Sequence, residues 1–304
     1  MNEDGLDVVL CGDVGIDVLT GLNEAVLPGS ESYAESLDFT LGGSAAIGHI
    51  AISHLGLRTK VVSMIGDDAE GHLTHTLLRE HGMDLHETGH ARALHTHVAI
   101  VLARGTERTI IGRPPSPVCR LPTSIPCAKV WLVSGYWLFR YDNHHLLGLA
   151  RAGARVGARI ILDVSPMHNV TLIEPWLARR ALDSLICHPD LANRLVGGGL
   201  HDRFKSSTWA EKHALNLLVH DNASPTILAT PRGLFSETPG DIDAAWTTVG
   251  AGDALAAGFA AARSLDRNDQ PLVSMANQVA ALYLTRRNQT ATRRPTKKRG
   301  NFHA

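Results

Sequence analysis

Six short apolar runs set the frame of this chain, at residues 7–11, 60–65, 129–133, 159–163, 184–187 and 216–220. They lack the strict polar alternation of a half-exposed strand, so they read as strands covered on both faces. Helical patterns lie between most of them. Residues 43–55 place Ala46 and Ile47, Ile50 and Ala51, and His54 and Leu55 on one stripe, and residues 69–81 do the same with Leu73, Leu77 and Leu78. Strand and helix in alternation predict an α/β fold, a doubly wound, mostly parallel sheet with helices on both faces. At 304 residues and 44% hydrophobic, the chain can bury such a core.

Two stretches break the alternation. Residues 14–41 and 95–111 look extended without a partner helix, the second with a turn at Arg104-Gly105-Thr106, and together they predict a small β-sheet lid. Residues 112–126 carry Pro114, Pro115, Pro117, Pro122 and Pro126 and read as a loop. One domain is therefore expected over residues 1–287. Residues 288–304, with Arg293, Arg294, Lys297, Lys298 and Arg299 and almost no apolar content, read as a flexible basic tail. A solvated terminus is the ordinary reading of such a tail, a nucleic-acid arm the special one.

A net charge of -1 gives no global field toward nucleic acid or an acidic membrane, so any anionic ligand must be bound locally. Cys11, Cys119, Cys127 and Cys187 form no C-x-x-C pair, and no uncharged apolar run is long enough to cross a bilayer. A reducing cytoplasm is the expected location, with no membrane partner.

The strongest local signal is Thr247-Thr248-Val249-Gly250-Ala251-Gly252-Asp253, followed by a small-residue helical run at 254–263. Glycines at the mouth of a helix let backbone N–H groups approach an anion, and the helix dipole adds positive potential there. On its own a first-turn Asp is equally a dipole partner. No G-x-x-x-x-G-K-[ST] and no G-x-G-x-x-G occurs, which removes a P-loop and weakens a dinucleotide site. His86-Glu87-Thr88-Gly89-His90 matches the zinc-protease pattern, but that pattern works only on a helix, and Gly82, Asp84 and Gly89 argue against one.

The heptad resembles the C-terminal signature of the ribokinase-like, PfkB-type family of carbohydrate and nucleoside kinases. A second signature falls in order: Gly42-Gly43-Ser44-Ala45-Ala46, then His54-Leu55-Gly56, then Met64-Ile65-Gly66-Asp67-Asp68-Ala69-Glu70-Gly71. Gly105-Thr106-Glu107-Arg108 matches the family's lid hairpin, and Ala276-Asn277 lies where its members line the adenine pocket. The resemblance implies an ATP- and Mg²⁺-dependent transfer of a phosphoryl group to an alcohol of a sugar, nucleoside or polyol. It makes Asp253 the base and Gly250, Ala251 and Gly252 the anion hole. An ordinary Asp pKa would leave that base ionised at neutral pH. Asp17 and Asp13 follow the first strand, where the family binds acceptor hydroxyls, with Asp17 the better fit and Asp13 equally readable as a turn or cap. Gly42 and Gly43 would let backbone approach the acceptor or simply make a tight turn. Any self-association is expected to be a homodimer through the lid.

Four positions depart from the family pattern. Thr247 stands where the family has an Asp that helps hold a monovalent cation. The Asn-x-x-Glu motif that organises Mg²⁺ falls at His188-Pro189-Asp190-Leu191, leaving Asp190 as the carboxylate candidate, although Pro189-Asp190 is equally a helix-start pair. The nucleotide loop aligns with His220-Asp221-Asn222-Ala223-Ser224-Pro225, where Asn222 can take a left-handed conformation and Pro225 cannot. Ile47 replaces an Asn that touches acceptor hydroxyls, implying a less polar pocket. The competing functional reading is a catalytically degenerate sugar- or nucleoside-binding protein on the same fold.

Overall fold

The computed structural model describes residues 5–83, 88–91, 95–104, 107–113, 126–134, 143–165, 171, 173–178, 180–221, 224–240 and 248–292. Its strands, in chain order, are β1 (Leu6–Cys11), β2 (Gly15–Gly21), β3 (Ser36–Gly42), β4 (Thr59–Gly66), β5 (Thr88–Ala91), β6 (His97–Arg104), β7 (Glu107–Arg113) and β8 (Ala128–Val133). The remaining strands are β9 (Arg159–Asp163), β10 (Ser184–Cys187), β11 (Asn216–Val219), β12 (Thr226–Thr230) and β13 (Gly233–Glu237). The helices are α1 (Ser44–Ile52), α2 (Ala69–Glu80), α3 (Asn143–Arg155), α4 (Glu174–Ala178), α5 (Pro189–Val196), α6 (Arg203–His213), α7 (Ala251–Ser264) and α8 (Gln270–Thr292).

Nine strands form the main sheet in the order β13-β12-β11-β10-β9-β8-β1-β4-β5. Neighbours from β11 to β5 pair in parallel, and β12 and β13 close the other edge as antiparallel additions. The period of two along a strand explains why these strands read as continuous apolar runs. In β1, Val8 and Leu10 enter the core that α1, α7 and α8 cover, while Val9 and Cys11 enter the core on the opposite face with Trp176 and Trp209. The chain winds outward from β1 in both directions, so the crevice between β1 and β8 is the topological switch point at which ligands of such sheets bind.

The extended segments form a separate four-stranded sheet, β3-β2-β6-β7. Its central pair β2 and β6 is parallel, with Gly15 opposite His97, and β3 and β7 add antiparallel on the outside. One face is inward, with Leu19 and Val101 buried, and the other exposes Leu37, Phe39, Ile100 and Ile111. The turn residues Gly105 and Thr106 lie outside the described residues, as do 114–125 of the proline-rich loop.

Three differences from the sequence reading have simple causes. Residues 88–91 form β5 against β4, so Gly89 and His90 of the H-E-x-x-H are in a strand and cannot share a helix face. The buried positions of α2 are Gly71, Thr74 and Leu78, because Gly71 packs against the Gly66 carbonyl and draws the helix down on its small side. Helix α8 continues to Thr292, past the expected boundary at 287, and residues 293–304 are outside the described residues.

Candidate active site

The site gathers where the sheet's strand ends meet the first turn of α7. Gly250 is the N-cap, in the left-handed region at φ 84. A side chain there would be strained, and a Cβ would sit 2.8 Å from the Tyr283 hydroxyl and 3.1 Å from Ile47 Cγ2. Ile47 is thus buried against the turn at Gly250. The Ala251 N–H bonds the Thr248 carbonyl at 3.2 Å, closing the turn, and Gly252 and Asp253 follow as the next two residues of the helix start, where N–H groups have no partner inside the helix. Arg108 of the lid strand β7 donates to the Thr248 hydroxyl, tying lid to loop. Thr247 lies outside the described residues.

Asp253 occupies the first turn and keeps part of its surface accessible, while protein surrounds it on the scale over which charges interact. Burial, and then the charges of Asp13, Asp163 and Asp17, push its carboxyl well above the usual carboxylate range, with Arg287 pulling weakly the other way. The sequence-based expectation of an ordinary Asp is therefore wrong. A cluster of carboxylates in low dielectric favours the neutral acid, and nearby positive charge is what would ionise it.

Asp13 follows β1, and its Oδ1 accepts from the backbone N–H of Ser44 at 3.1 Å and from the Ser44 hydroxyl. This caps α1, whose own N-cap Gly43 has no side chain to do so. Its Oδ2 faces His97 Nε2 at 3.6 Å. Asp17 on β2 is buried, and its carboxylate fills the space a side chain at residue 42 would need, since a Cβ on Gly42 would come within 2.1 Å of Oδ1. Gly42 is thus required by the close approach of the carboxylate. Burial raises the Asp17 pKa, and Arg287, with Nη2 3.6 Å from Oδ2, opposes it.

Other site residues come from tertiary register and not from any motif. Pairing of β6 with β2 carries His97 beside Asp13, with its Nδ1 buried and without a hydrogen bond. Arg287 stands at the boundary where the sequence turns basic, which hid it, yet its side chain is only 12% exposed and donates to the Tyr283 hydroxyl.

The wall at the ends of β9, β10 and β11 is differently built. His220 follows β11 and its ring packs on Gly252, with Cε1 3.1 Å from where a Cβ would lie, while Nε2 meets the Ser165 hydroxyl at 3.3 Å. Burial, then the His188 charge, lowers its pKa to about 4, so it is neutral at pH 7. Asp163, at the end of β9, accepts from the Ser165 N–H at 2.9 Å and is raised to about 6 by burial. His188 precedes α5, with Nε2 3.2 Å from Asp221, and Asp190 is 68% exposed in the first helical turn, 4.0 Å from His188 Nδ1. Leu191, where the family carries a Glu, is fully buried in the core. Asn277 is buried, its Oδ1 accepting from Thr226 at 2.8 Å and its Nδ2 reaching the Glu237 carbonyl at 3.4 Å, so it ties α8 to β12 and β13. Asn222 lies outside the described residues.

Comparison with known proteins bears on this arrangement. The family model described as pfkB family carbohydrate kinase matches residues 6–297. An acarbose 7(IV)-phosphotransferase from Actinoplanes sp. is 31% identical over 108 residues, which span 34% of this chain and only 31% of that relative. Among solved structures, an Anopheles gambiae adenosine kinase superposes with a TM-score of 0.74 at 15% identity, covering 96% of this chain and 99% of its own. Arabidopsis thaliana ribokinase, complexed with ribose and ATP, superposes with a TM-score of 0.70 at 19% identity, covering 94% and 93%. At these identities the superpositions establish the fold.

Proposed function

This chain belongs to the pfkB family of carbohydrate kinases, and we propose that it transfers the γ-phosphoryl group of ATP to an alcohol of a sugar, nucleoside or related polyol. The observation that carries this reading is the convergence of Asp253 and the first turn of α7 on a crevice also faced by Asp13 and Asp17. Asp253 accepts the hydroxyl proton, and the N–H groups of the turn meet charge developing on the transferred group. Asp17 and the Gly42-Gly43 backbone hold the acceptor.

ATP is the donor named for the Arabidopsis ribokinase structure, and we assign it here to the side of His220, His188 and Asn277. Among the described residues no group of three or more His, Cys, Asp or Glu side chains could cage a metal. Mg²⁺ carried on the phosphates and held through water fits the exposed Asp190, and when bound it would neutralise phosphate charge. That positive charge would also favour the ionised form of Asp253, which burial and the surrounding carboxylates disfavour.

A second reading, a binding protein that has lost transfer, is favoured by Leu191 in the core and by the His188–Asp221 pair. Incubating the protein with Mg-ATP and a panel of sugars and nucleosides, with mass detection of phosphorylated products, separates the two. A ligand that binds without acquiring phosphate would establish the second.

The lid's outer face exposes Phe39 and Ile111, each more than half accessible. A homodimer through that face is the assembly we expect. Analytical ultracentrifugation showing only monomer at micromolar concentration would overturn it. No helix among the described residues is long and apolar enough to cross a membrane.

A further inference from the structure

A cavity of about 450 Å³ lies beside the crevice, between the lid strands β2 and β3, the ends of α1 and α2, and α8. Its floor is apolar, built from Leu19, Leu41, Ile50 and Leu77, and Arg287 contributes to its wall. None of Asp13, Asp17, Gly42 and Asp253 lines it, so it is separate from the acceptor site as argued above. The partition between the two spaces is Arg287 with Tyr283.

Arg287 is under-used where it stands. Nη1 donates to Tyr283, and Nη2 is 3.6 Å from Asp17, too far for a hydrogen bond. Nε and Nη2 are both buried and make none. A guanidinium presents a planar fork matched to carboxylate and phosphate oxygens, and a buried donor left unpaired is costly. The other charges at the rim include both signs, with Asp38 and Glu80 against Arg286, so they supply no net attraction of their own. The buried, incompletely bonded Arg287 over an apolar floor is the distinguishing chemistry.

We propose that this cavity is a second ligand site, for a small molecule with an apolar body and one anionic group that pairs with Arg287. Because Arg287 also faces Asp17, the ligand's anion and the Asp17 carboxylate compete for one guanidinium. Occupancy of the cavity frees Asp17 from its counter-ion and alters the acceptor side without entering it. Small side-chain and lid adjustments that open Nε and Nη2 to the cavity accompany binding.

The test uses binding alone, so its outcome is independent of whether the protein is a kinase. The probe is 8-anilinonaphthalene-1-sulfonate, an apolar body carrying one sulfonate, titrated into the full-length protein by fluorescence, with circular dichroism confirming that each variant is folded. Leu77→Trp, which fills the cavity from α2, should remove saturable binding. Arg287→Gln should weaken it at least about tenfold, and Asp17→Asn, which removes the competing charge, should tighten it by about fivefold. N-phenyl-1-naphthylamine, the same body without charge, should bind wild type and Arg287→Gln alike. Sulfonate binding that survives Leu77→Trp in a folded protein, or that is unchanged in both Arg287→Gln and Asp17→Asn, would overturn the proposal.

Discussion

The two sides of the crevice are made from the same kinds of element, strand ends and helix starts, but they hold their residues differently. On the acceptor side the geometry is set by backbone. Gly42 gives its side-chain space to Asp17, Gly250 turns left-handed beneath Tyr283, and Asp13 caps α1. On the donor side it is set by side chains bonded to one another, His188 to Asp221, Ser165 to His220, and Asn277 to Thr226. Backbone-defined geometry tolerates no substitution at the glycines, whereas a side-chain lattice can exchange partners and still close.

The largest expected effect falls on the first side. Asp253→Asn should lower kcat by at least about 100-fold with acceptor affinity nearly unchanged, because the base acts in the transition state. The wild-type pH profile sharpens the same point. The base must be ionised, and its carboxyl is raised by burial and by Asp13, Asp163 and Asp17. Activity should therefore fall on acidification at a pH above the ordinary carboxylate range, measured as kcat/KM for limiting Mg-ATP, and the limb should move to lower pH when kcat/KM for the acceptor is measured at saturating Mg-ATP. An acid limb at about pH 4 in free enzyme would remove the distinction.

Next in size, Gly42→Ala should raise the acceptor KM by about tenfold or more, since the added methyl displaces the Asp17 carboxylate. A variant with normal acceptor KM would show that Asp17 does not set acceptor geometry. His188→Asn should change the KM for ATP by no more than about fivefold, because the His188–Asp221 pair is one-third exposed and such pairs are worth about 0.2–1 kcal/mol. The acceptor KM should not move, and equal effects on both substrates would collapse the contrast between the sides. The smallest effect concerns Thr247, which offers a hydroxyl where a carboxylate would draw a monovalent cation. Replacing K⁺ by a bulky organic cation at constant ionic strength should change activity by less than about threefold, read by product formation in matched buffers. Strong K⁺ activation would show that Thr247 is no deficit.

The fold was legible because its strands are buried on both faces and its helices are amphipathic, so strand runs at 159–163 and 184–187 coincide with β9 and β10. The short polar strand β5 and the buried antiparallel strand β12 escaped, since Thr88–Ala91 has no apolar run and Thr226–Thr230 owes its strand to pairing with β11 and β13. The motif around Asp253 was legible because a left-handed turn at the mouth of a helix requires glycine, and that requirement is written in the residue itself.

By itself, then, the sequence determined the doubly wound sheet, the lid segments and the turn at Gly250. Only the tertiary structure decided what surrounds them. The register of β6 on β2 brought His97 to Asp13, the length of α8 brought Arg287 to Asp17, and burial together with the meeting of four carboxylates raised the pKa of Asp253. A left-handed turn such as that at Gly250 is a local demand that one residue can satisfy and therefore reveal. A pKa or an ion pair depends on distances between residues far apart in the chain, and no local pattern carries those distances.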